Sequence, residues 1–193
     1  MKKIIDVKTK EEIGLGAGDL SMMIHGVEHS GASLMSISIA ANLHMAGSKL
    51  LIFTAYNMAI EEFTKQVGEP ESIFYLEREE DIEKAHSFRT IFVQSGNAEL
   101  FALVAGMDGV VADRLIFIKN VETVNIPIFD LVAGKSFIVS GDLGANKAQH
   151  EFKTAAYNTK IFMSLLEGET VPTLEKYQAY VKNQSVDTIA TLI

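Results

Sequence analysis

The sequence predicts an α/β fold of three layers, a mostly parallel sheet with helices on both faces. Six short apolar runs recur along the chain, and they are unbroken rather than alternating, as strands covered on both faces require. Helical patterns separate these runs, and a helix between two strands implies a parallel crossover. The runs are Leu20–Ile24, Leu50–Phe53, Ile91–Val93, Leu115–Ile118, Phe137–Val139 and Ile161–Met163.

Helical periodicity predicts the elements that connect these strands. The predicted helices are Ser33–Ala46, Met58–Val67, Ala98–Met107 and Lys147–Tyr157, with a weaker pattern at Glu79–His86. The first of them is apolar or small nearly all round, so it must be covered on most sides. Gly47 follows it as a left-handed C-terminal cap. Pro172 precedes the segment Thr173–Ile193, for which one or two terminal helices are predicted.

Length and composition favour one soluble domain. The 193 residues, 48% of them hydrophobic, suffice for a buried core, and no linker or repeat divides them. We expect a single domain over residues 1–193, with a core of about 16–165 and a C-terminal helical extension of about 172–193. No apolar run approaches the roughly 20 residues that cross a bilayer. Together with the absence of cysteine and of a secretory signal, this favours a cytoplasmic protein without membrane insertion.

The charge balance argues against nucleic acid as a direct partner of the monomer. The net charge is -8, and the segment Glu61–Lys84 holds nine acidic residues against three basic ones. Affinity for nucleic acid comes largely from cationic groups on phosphates. We interpret the acidic segment as a solvated helix and loop face. Oligomerisation could still bring basic residues together into a local patch.

A glycine-containing stretch lies between the first predicted strand and the first predicted helix. Residues 26–33 read GVEHSGAS, in the placement of a P-loop with the pattern G-x-x-x-x-G-K-[ST]. Gly26 and Gly31 have the right spacing, and Ser33 stands where the hydroxyl that contacts magnesium belongs. Ala32 occupies the position of the lysine. Such a loop turns backbone N–H groups inward, and the start of the following helix adds partial positive charge.

Three stretches around this loop carry a family resemblance. Gly16–Gly26, Ile39–Asn42 and Leu51–Thr54, together with the loop, resemble the RecA-like ATPases, and most closely the DnaB-type replicative helicases and the KaiC group. In that family a P-loop, a helix and a second strand follow one another at this spacing. The resemblance covers residues 16–67 and is topological from there to about residue 163. It implies a RecA-like P-loop fold and a nucleotide site.

The same resemblance exposes three departures from an active site. Ala32 replaces the lysine that binds phosphate, and Asn57 occupies the place of the glutamate that activates water. An amide can form hydrogen bonds but cannot take a proton. The strand Arg114–Ile118 resembles a Walker B strand, yet Lys119 and Asn120 follow it where an aspartate should support magnesium. Because phosphoryl transfer depends on these charges, the resemblance implies a pseudo-ATPase without a metal site.

What remains is a vestigial nucleotide or anion site. It comprises Gly26, Glu28, His29, Ser30, Gly31, Ala32, Ser33, Asn57, Lys119 and Ser140. No cofactor is assigned with certainty, and weak binding of ATP, phosphate or sulfate without magnesium is one alternative. The Lys119 ammonium either faces the loop in place of the missing lysine, or is solvated or paired with a carboxylate. Ser140 stands where RecA-like proteins place a sensor of the γ-phosphate.

Four functions therefore stay open. The first is an inactive structural or regulatory component of an oligomeric assembly, either a homo-oligomer or the partner of an active RecA-like ATPase. The second is a protein that responds to a nucleotide or anion. The third is an ATPase completed by a neighbouring subunit, in which Glu61, Glu62 or a lysine of that neighbour would have to serve. The fourth is a doubly wound fold with a flavin or nucleotide at its switch point.

Overall fold

The computed structural model describes residues 3–15, 20–54, 57–94, 97–111, 113–119, 130, 135–144 and 157–191. The chain divides into two compact units. Unit one comprises residues 1–36, 120–122 and 138–193, and unit two comprises residues 37–119 and 123–137.

In chain order the elements are β1 (Lys3–Ile5), β2 (Glu12–Gly14), β3 (Ser21–His25), α1 (Ala32–Met45), β4 (Lys49–Thr54), α2 (Asn57–Val67), β5 (Ile73–Leu76), α3 (Ile82–Ala85), β6 (Thr90–Gln94), α4 (Ala98–Gly106), α5 (Asp108–Val111), β7 (Arg114–Lys119), β8 (Phe137–Gly141), β9 (Thr159–Phe162), β10 (Gln178–Asn183) and β11 (Asp187–Thr191).

The sheet strands of unit one lie in the order β11-β10-β9-β3-β8. Strands β3 and β9 are parallel, with Met22 opposite Thr159 and Ile24 opposite Ile161. Strands β9, β10 and β11 pair antiparallel in sequence. The side chains of Met22, Met23 and Ile24 are fully buried, as expected for a central strand covered on both faces. The hairpin of β1 and β2 forms a separate two-stranded sheet.

The strands of unit two lie in the order β7-β4-β6-β5, and every pair among them is parallel. Aromatic side chains fill the core of this unit. The rings of Phe53 and Phe101 stack with centroids 4.4 Å apart, and Phe63 meets Phe92 edge to face at 5.2 Å. Each such side chain contributes roughly 1.5–3 kcal/mol through its burial.

All six predicted strands form, as β3, β4, β6, β7, β8 and β9, and the helices α1, α2 and α4 form within a residue of their predicted ends. Gly47 ends α1 as predicted, with φ +93° and with Ser48 N–H bonded to the Leu43 carbonyl. The weaker pattern at Glu79–His86 becomes a 3₁₀ turn at Glu79–Asp81 followed by the short α3. The predicted helix Lys147–Tyr157 lies outside the described residues, except for Tyr157, which is not helical.

The prediction of helices between Thr173 and Ile193 is wrong, because this segment forms the hairpin of β10 and β11. Ala179, Tyr180 and Val181 are all buried in β10, and a local turn joins the two strands. The Asn183 side-chain oxygen accepts the N–H groups of Ser185 and Val186, both at 2.9 Å. Strands β1, β2 and β5 were not predicted either, since three or four residues between charged neighbours give little periodicity.

A carboxylate joins the N-terminal hairpin to the last strand. Asp6 accepts the N–H groups of Lys8 and Thr9 at 2.8 Å with one oxygen, and the N–H of Thr191 at 3.0 Å with the other. The Thr9 N–H, the strongest influence, lowers the pKa of Asp6 against the opposing effect of burial, and the other two N–H groups lower it further. The charged form of Asp6 therefore stabilises the folded state.

We expect Asp6→Asn to lower the free energy of unfolding by about 1–3 kcal/mol at pH 7, because an amide cannot accept all three N–H groups. The folded pKa of Asp6 lies below its ordinary value of 3.8. The contribution is therefore complete above that pH and is lost as the pH falls through the folded pKa. The free energies of unfolding of variant and wild type should therefore approach each other in acid. Urea unfolding at a series of pH values from 7 to 3 measures this change.

Glu11→Gln is the matched control, since it neutralises an exposed carboxylate of the same hairpin turn. Its effect should stay within about 0.5 kcal/mol at every pH. A difference between wild type and Asp6→Asn that is as small as that of the control, or that does not shrink in acid, would contradict the assignment.

Candidate phosphate-binding loop

The chain leaves β3 at His25 and reaches α1 at Ala32 through one compact bend. The Gly26 N–H donates to the Gly141 carbonyl at 3.1 Å, and the Ser30 N–H donates to the Val27 carbonyl at 3.1 Å. His29 and Gly31 have positive φ angles, +63° and +90°. The predicted order of strand, glycine loop and helix is thus present, and β3, the loop and the start of α1 as far as Ser36 belong to unit one.

Gly26 is a glycine because nothing larger fits there. A Cβ on Gly26 would lie 2.3 Å from the Ser30 hydroxyl oxygen, 2.6 Å from the Ala32 methyl and 3.1 Å from Cβ of Met163. The two shortest distances are below any normal contact. The backbone at Gly26 is therefore in close approach to both ends of the bend and to the residue after β9.

The backbone N–H groups of the bend fall into two sets, those with an acceptor and those without. The N–H groups of Val27 and Ala32 donate to side chains, at 3.1 Å to Ser164 Oγ and at 3.4 Å to Ser30 Oγ. Within the described part of the chain, no acceptor meets the N–H groups of Glu28, His29, Gly31 or Ser33. Unpaired N–H groups in a bend that leads into the start of a 14-residue helix are an arrangement suited to binding anions.

The two charged side chains of the bend do not fill it. Glu28 and His29 are 89% and 91% exposed, and His29 Nε2 lies 3.5 Å from a Glu28 oxygen. An ion pair this exposed contributes little to stability. Ser33 is exposed as well, in the first turn of α1. The side chains of Glu28 and His29 thus extend into solvent.

The side chain at the lysine position points inward. Ala32 is only 7% exposed, and its methyl group lies against Gly26. The first turn of α1 is closed by Ser36, whose hydroxyl donates to the Ala32 carbonyl at 2.6 Å. A lysine at this position would begin at the base of the loop and carry its charge over it. The alanine offers no charge there.

The other predicted site residues divide between the units. Ser140 is buried in β8 and precedes Gly141, the residue that accepts the Gly26 N–H, so it belongs to the same unit as the loop. Asn57 and Lys119 belong to unit two. Asn57 opens α2, and its side chain is outside the described part. Lys119 ends β7 and is 3% exposed, so the alternative of a solvated lysine is wrong. That its ammonium faces the loop stays a prediction.

Two residues that join the loop to its surroundings were missed from the sequence. His25 is buried at the end of β3, and Ser164 lies just after β9. The Ser164 hydroxyl oxygen accepts the Val27 N–H at 3.1 Å and lies 3.2 Å from His25 Nε2. A polar residue that ends an otherwise apolar strand was the available signal for His25. Nothing in the sequence pattern marks Ser164.

A second polar cluster, in unit two, resembles a nucleophile with its base, but its His44 and Thr90 side chains are fully buried. His44 Nδ1 lies 2.7 Å from the Thr90 hydroxyl, and its Nε2 lies 3.1 Å from the Ser72 hydroxyl. The Ser72 hydroxyl donates to the Glu69 carbonyl at 2.7 Å, so Nε2 must be the donor to Ser72. Burial above all lowers the pKa of His44, with the charge of Arg89 next and Glu69 opposing. The cluster is a structural hydrogen-bond chain.

Two further features are absent from the described residues, a metal site and a membrane span. Among them, no three His, Asp or Glu side chains are grouped so that they could hold a metal ion. No helix in the described ranges has both the length and the apolar character that a membrane span needs.

Comparison with known proteins identifies the fold through structure alone. No protein-family model matches the chain, and no curated protein matches it by sequence. The genome-packaging NTPase B204 of Sulfolobus turreted icosahedral virus 2, in complex with AMP, is similar with a TM-score of 0.61 and 15% identity over 91% of this chain and 97% of that one. The complex of the same NTPase with ATP-γS is similar with a TM-score of 0.58 and 13% identity, over 89% of this chain and 95% of that one.

The flagellar accessory protein FlaH of Methanocaldococcus jannaschii is similar with a TM-score of 0.50 and 12% identity, over 88% of this chain and 81% of that one. These neighbours are RecA-like P-loop proteins. The fold is RecA-like. The mostly parallel α/β architecture predicted from the sequence is confirmed, whereas the closer grouping with DnaB-type helicases and KaiC stays a prediction.

We expect Gly26→Ala to lower the free energy of unfolding by about 1–3 kcal/mol, because the added methyl overlaps Ala32 and the Ser30 hydroxyl. Thermal unfolding measures the loss. Gly106→Ala is the control, because a Cβ at the end of α4 meets no atom within 4 Å. Equal melting temperatures for the two variants would contradict the close approach at Gly26.

Proposed function

We propose that this chain is a RecA-like domain that does not hydrolyse nucleotide and that serves as a structural or regulatory component of an oligomeric assembly. The buried methyl of Ala32 carries the proposal. It lies at the base of the loop, where the lysine of an active P-loop begins. Opposite charges 4 Å apart contribute about 4 kcal/mol at an effective dielectric constant near 20, and the alanine forfeits that attraction.

Two further departures support the loss of activity. Asn57, in the place of the glutamate, opens α2, and an amide cannot accept the proton of an attacking water. Lys119, in the place where the resemblance expects an aspartate, ends β7 as a buried cation. A cation there would oppose magnesium. The chain would thus keep the scaffold of a P-loop ATPase without its charged groups.

The structural neighbours suggest the kind of assembly. One is named a genome-packaging NTPase and the other a flagellar accessory protein. We propose that this chain acts in a comparable machine, through contacts with further copies of itself or with an active RecA-like ATPase. This part of the proposal rests on likeness of fold, and function resides in sites rather than folds.

We propose as a second function that the loop still binds a phosphate-bearing ligand or a simple anion. One observation favours it: among the described residues the N–H groups of Glu28, His29, Gly31 and Ser33 meet no acceptor, and the side chains of Glu28 and His29 extend into solvent. Binding would use backbone groups and Ser33 and would need no magnesium. Without the lysine we expect dissociation constants near the millimolar range, equivalent to about 4 kcal/mol.

Phosphate release from ATP and magnesium, measured with the purified chain, should not exceed the buffer background. Light scattering coupled to size-exclusion chromatography would report its oligomeric state in the same sample. Magnesium-dependent turnover that Ser33→Ala abolishes would overturn the proposed inactivity. It would support instead the ATPase completed by a neighbouring subunit.

Restoring the lysine tests the observation that carries the proposal. Ala32→Lys should tighten the binding of pyrophosphate about 10- to 100-fold, as expected for a charge-assisted hydrogen bond. Isothermal titration calorimetry measures the change, and phosphate release from ATP should stay at background because Asn57 is no base.

Ala32→Met is the matched control, since it adds a stem of similar length without the charge. Equal affinities of the lysine and methionine variants would show that charge at this position is not what the loop lacks.

A further inference from the structure

The His25 ring contacts two segments at the edge of the loop. It is 1% exposed at the end of β3. Its Nδ1 lies 3.1 Å from the N–H of Leu143, in the turn after β8. Its Nε2 lies 3.0 Å from the Leu165 carbonyl and 3.2 Å from the Ser164 hydroxyl, both after β9. All four residues belong to unit one.

These partners determine the tautomer of the imidazole. A backbone N–H can only donate, so Nδ1 carries the lone pair that accepts from Leu143. Nε2 therefore carries the hydrogen and donates to the Leu165 carbonyl, with the Ser164 oxygen as a second acceptor within reach. His25 is thus the neutral Nε2–H tautomer, and both nitrogens are engaged.

An imidazole engaged in this way is not a general base or a metal ligand. A base needs an unengaged nitrogen next to the group that it deprotonates, and a ligand needs one directed at the ion. Both nitrogens of His25 are used in holding backbone. Its position is informative instead, because Ser164 connects it to the loop through the Val27 N–H.

A continuous chain of hydrogen bonds results. It runs from the Val27 N–H to the Ser164 oxygen, from there to the His25 ring, and from the ring to the Leu143 N–H. A parallel link exists one residue earlier, where the Gly26 N–H donates to the Gly141 carbonyl. The loop is therefore joined both to the last residue of β8 and to the turn that follows it.

We propose that His25 is a positioning residue that couples occupancy of the loop by a phosphate-bearing ligand to the turns after β8 and β9. The inference rests on the second proposed function, anion binding by the loop. A ligand that draws the loop N–H groups inward shifts Val27, and the shift reaches Leu143 and Leu165 through Ser164 and the ring. Leu165 is 72% exposed, so occupancy would change a surface that a partner can contact.

Pyrophosphate is the probe, and backbone amide NMR of the full chain is the measurement. The amide signals of Gly31 and Ser33 report binding, and those of Leu143 and Leu165 report coupling. We expect all four to shift along one saturation curve. The nitrogen chemical shifts of the His25 ring, measured without ligand, should show a protonated Nε2 and an unprotonated Nδ1.

Two substitutions separate the two sides of the ring. Asn can place its oxygen near the position of Nδ1, and Gln can place its amide nitrogen near that of Nε2. His25→Gln should keep the ligand-induced shift of Leu165 and lose that of Leu143, because it keeps a group near Nε2 for Ser164 and Leu165 but offers none to the Leu143 N–H. His25→Asn should reduce the shift of Leu143 as well, although its oxygen can still accept that N–H, because the contact with Ser164 is lost. A role in stability alone predicts no such difference between the two signals.

Ser164→Ala interrupts the chain without touching the ring and is the variant to use if the histidine variants do not fold. It should weaken pyrophosphate binding about 3- to 10-fold, since one hydrogen bond to the loop is lost. It should also at least halve the shift of Leu143 at saturation.

The outcomes distinguish this inference from the function on which it rests. If no amide of the loop responds to pyrophosphate, anion binding and the coupling both fail. If Gly31 and Ser33 respond but Leu143 and Leu165 do not, only the coupling fails. An Nδ1–H tautomer, or a Leu143 response that Ser164→Ala leaves intact, would overturn the hydrogen-bond chain itself.

Discussion

The close approach of the backbone at Gly26 is the constraint on which the loop depends. The chain can turn there only because no side chain separates it from Ser30, Ala32 and Met163. The N–H of the same residue is held by the Gly141 carbonyl. Packing and backbone hydrogen bonds thus fix the path of the loop, and neither involves the side chain of a lysine. This explains how the loop can keep its shape while its charge is absent.

Shape and charge contribute differently to a phosphate site. A hydrogen bond from a neutral N–H group contributes about 0.5–1.5 kcal/mol net to the free energy of binding, whereas a hydrogen bond that involves a charged group contributes about 1.5–3 kcal/mol. For a bound anion, the N–H groups of Glu28, His29, Gly31 and Ser33 are the groups that offer the first kind of interaction. The methyl of Ala32 cannot supply the second. An arrangement of this kind suits weak, reversible occupancy better than the stabilisation of a transition state.

The spacing and periodicity of residues that are close in the sequence made much of the fold predictable. Strand β3, the glycine loop and α1 follow one another within 25 residues, so spacing and periodicity sufficed. The hairpin of β10 and β11 was mistaken for helix because Pro172 precedes the segment, as a proline often precedes a helix, and because β10 buries Ala179, Tyr180 and Val181 in succession without a strand-like alternation. Periodicity over strands of five or six residues is too short to decide such a case.

The candidate site was predictable only where its residues are close in the sequence. The glycines and the missing lysine lie within eight positions, and a motif can capture them. His25 and Ser164 are 139 residues apart, and their contact exists only because β3 and β9 pair in parallel with His25 opposite Phe162. The register of that pairing delivers the residue after β9 to the start of the loop. The sequence motif therefore determines the loop itself, whereas strand pairing determines which residues the loop contacts. Any regulation of this loop must act through those contacts.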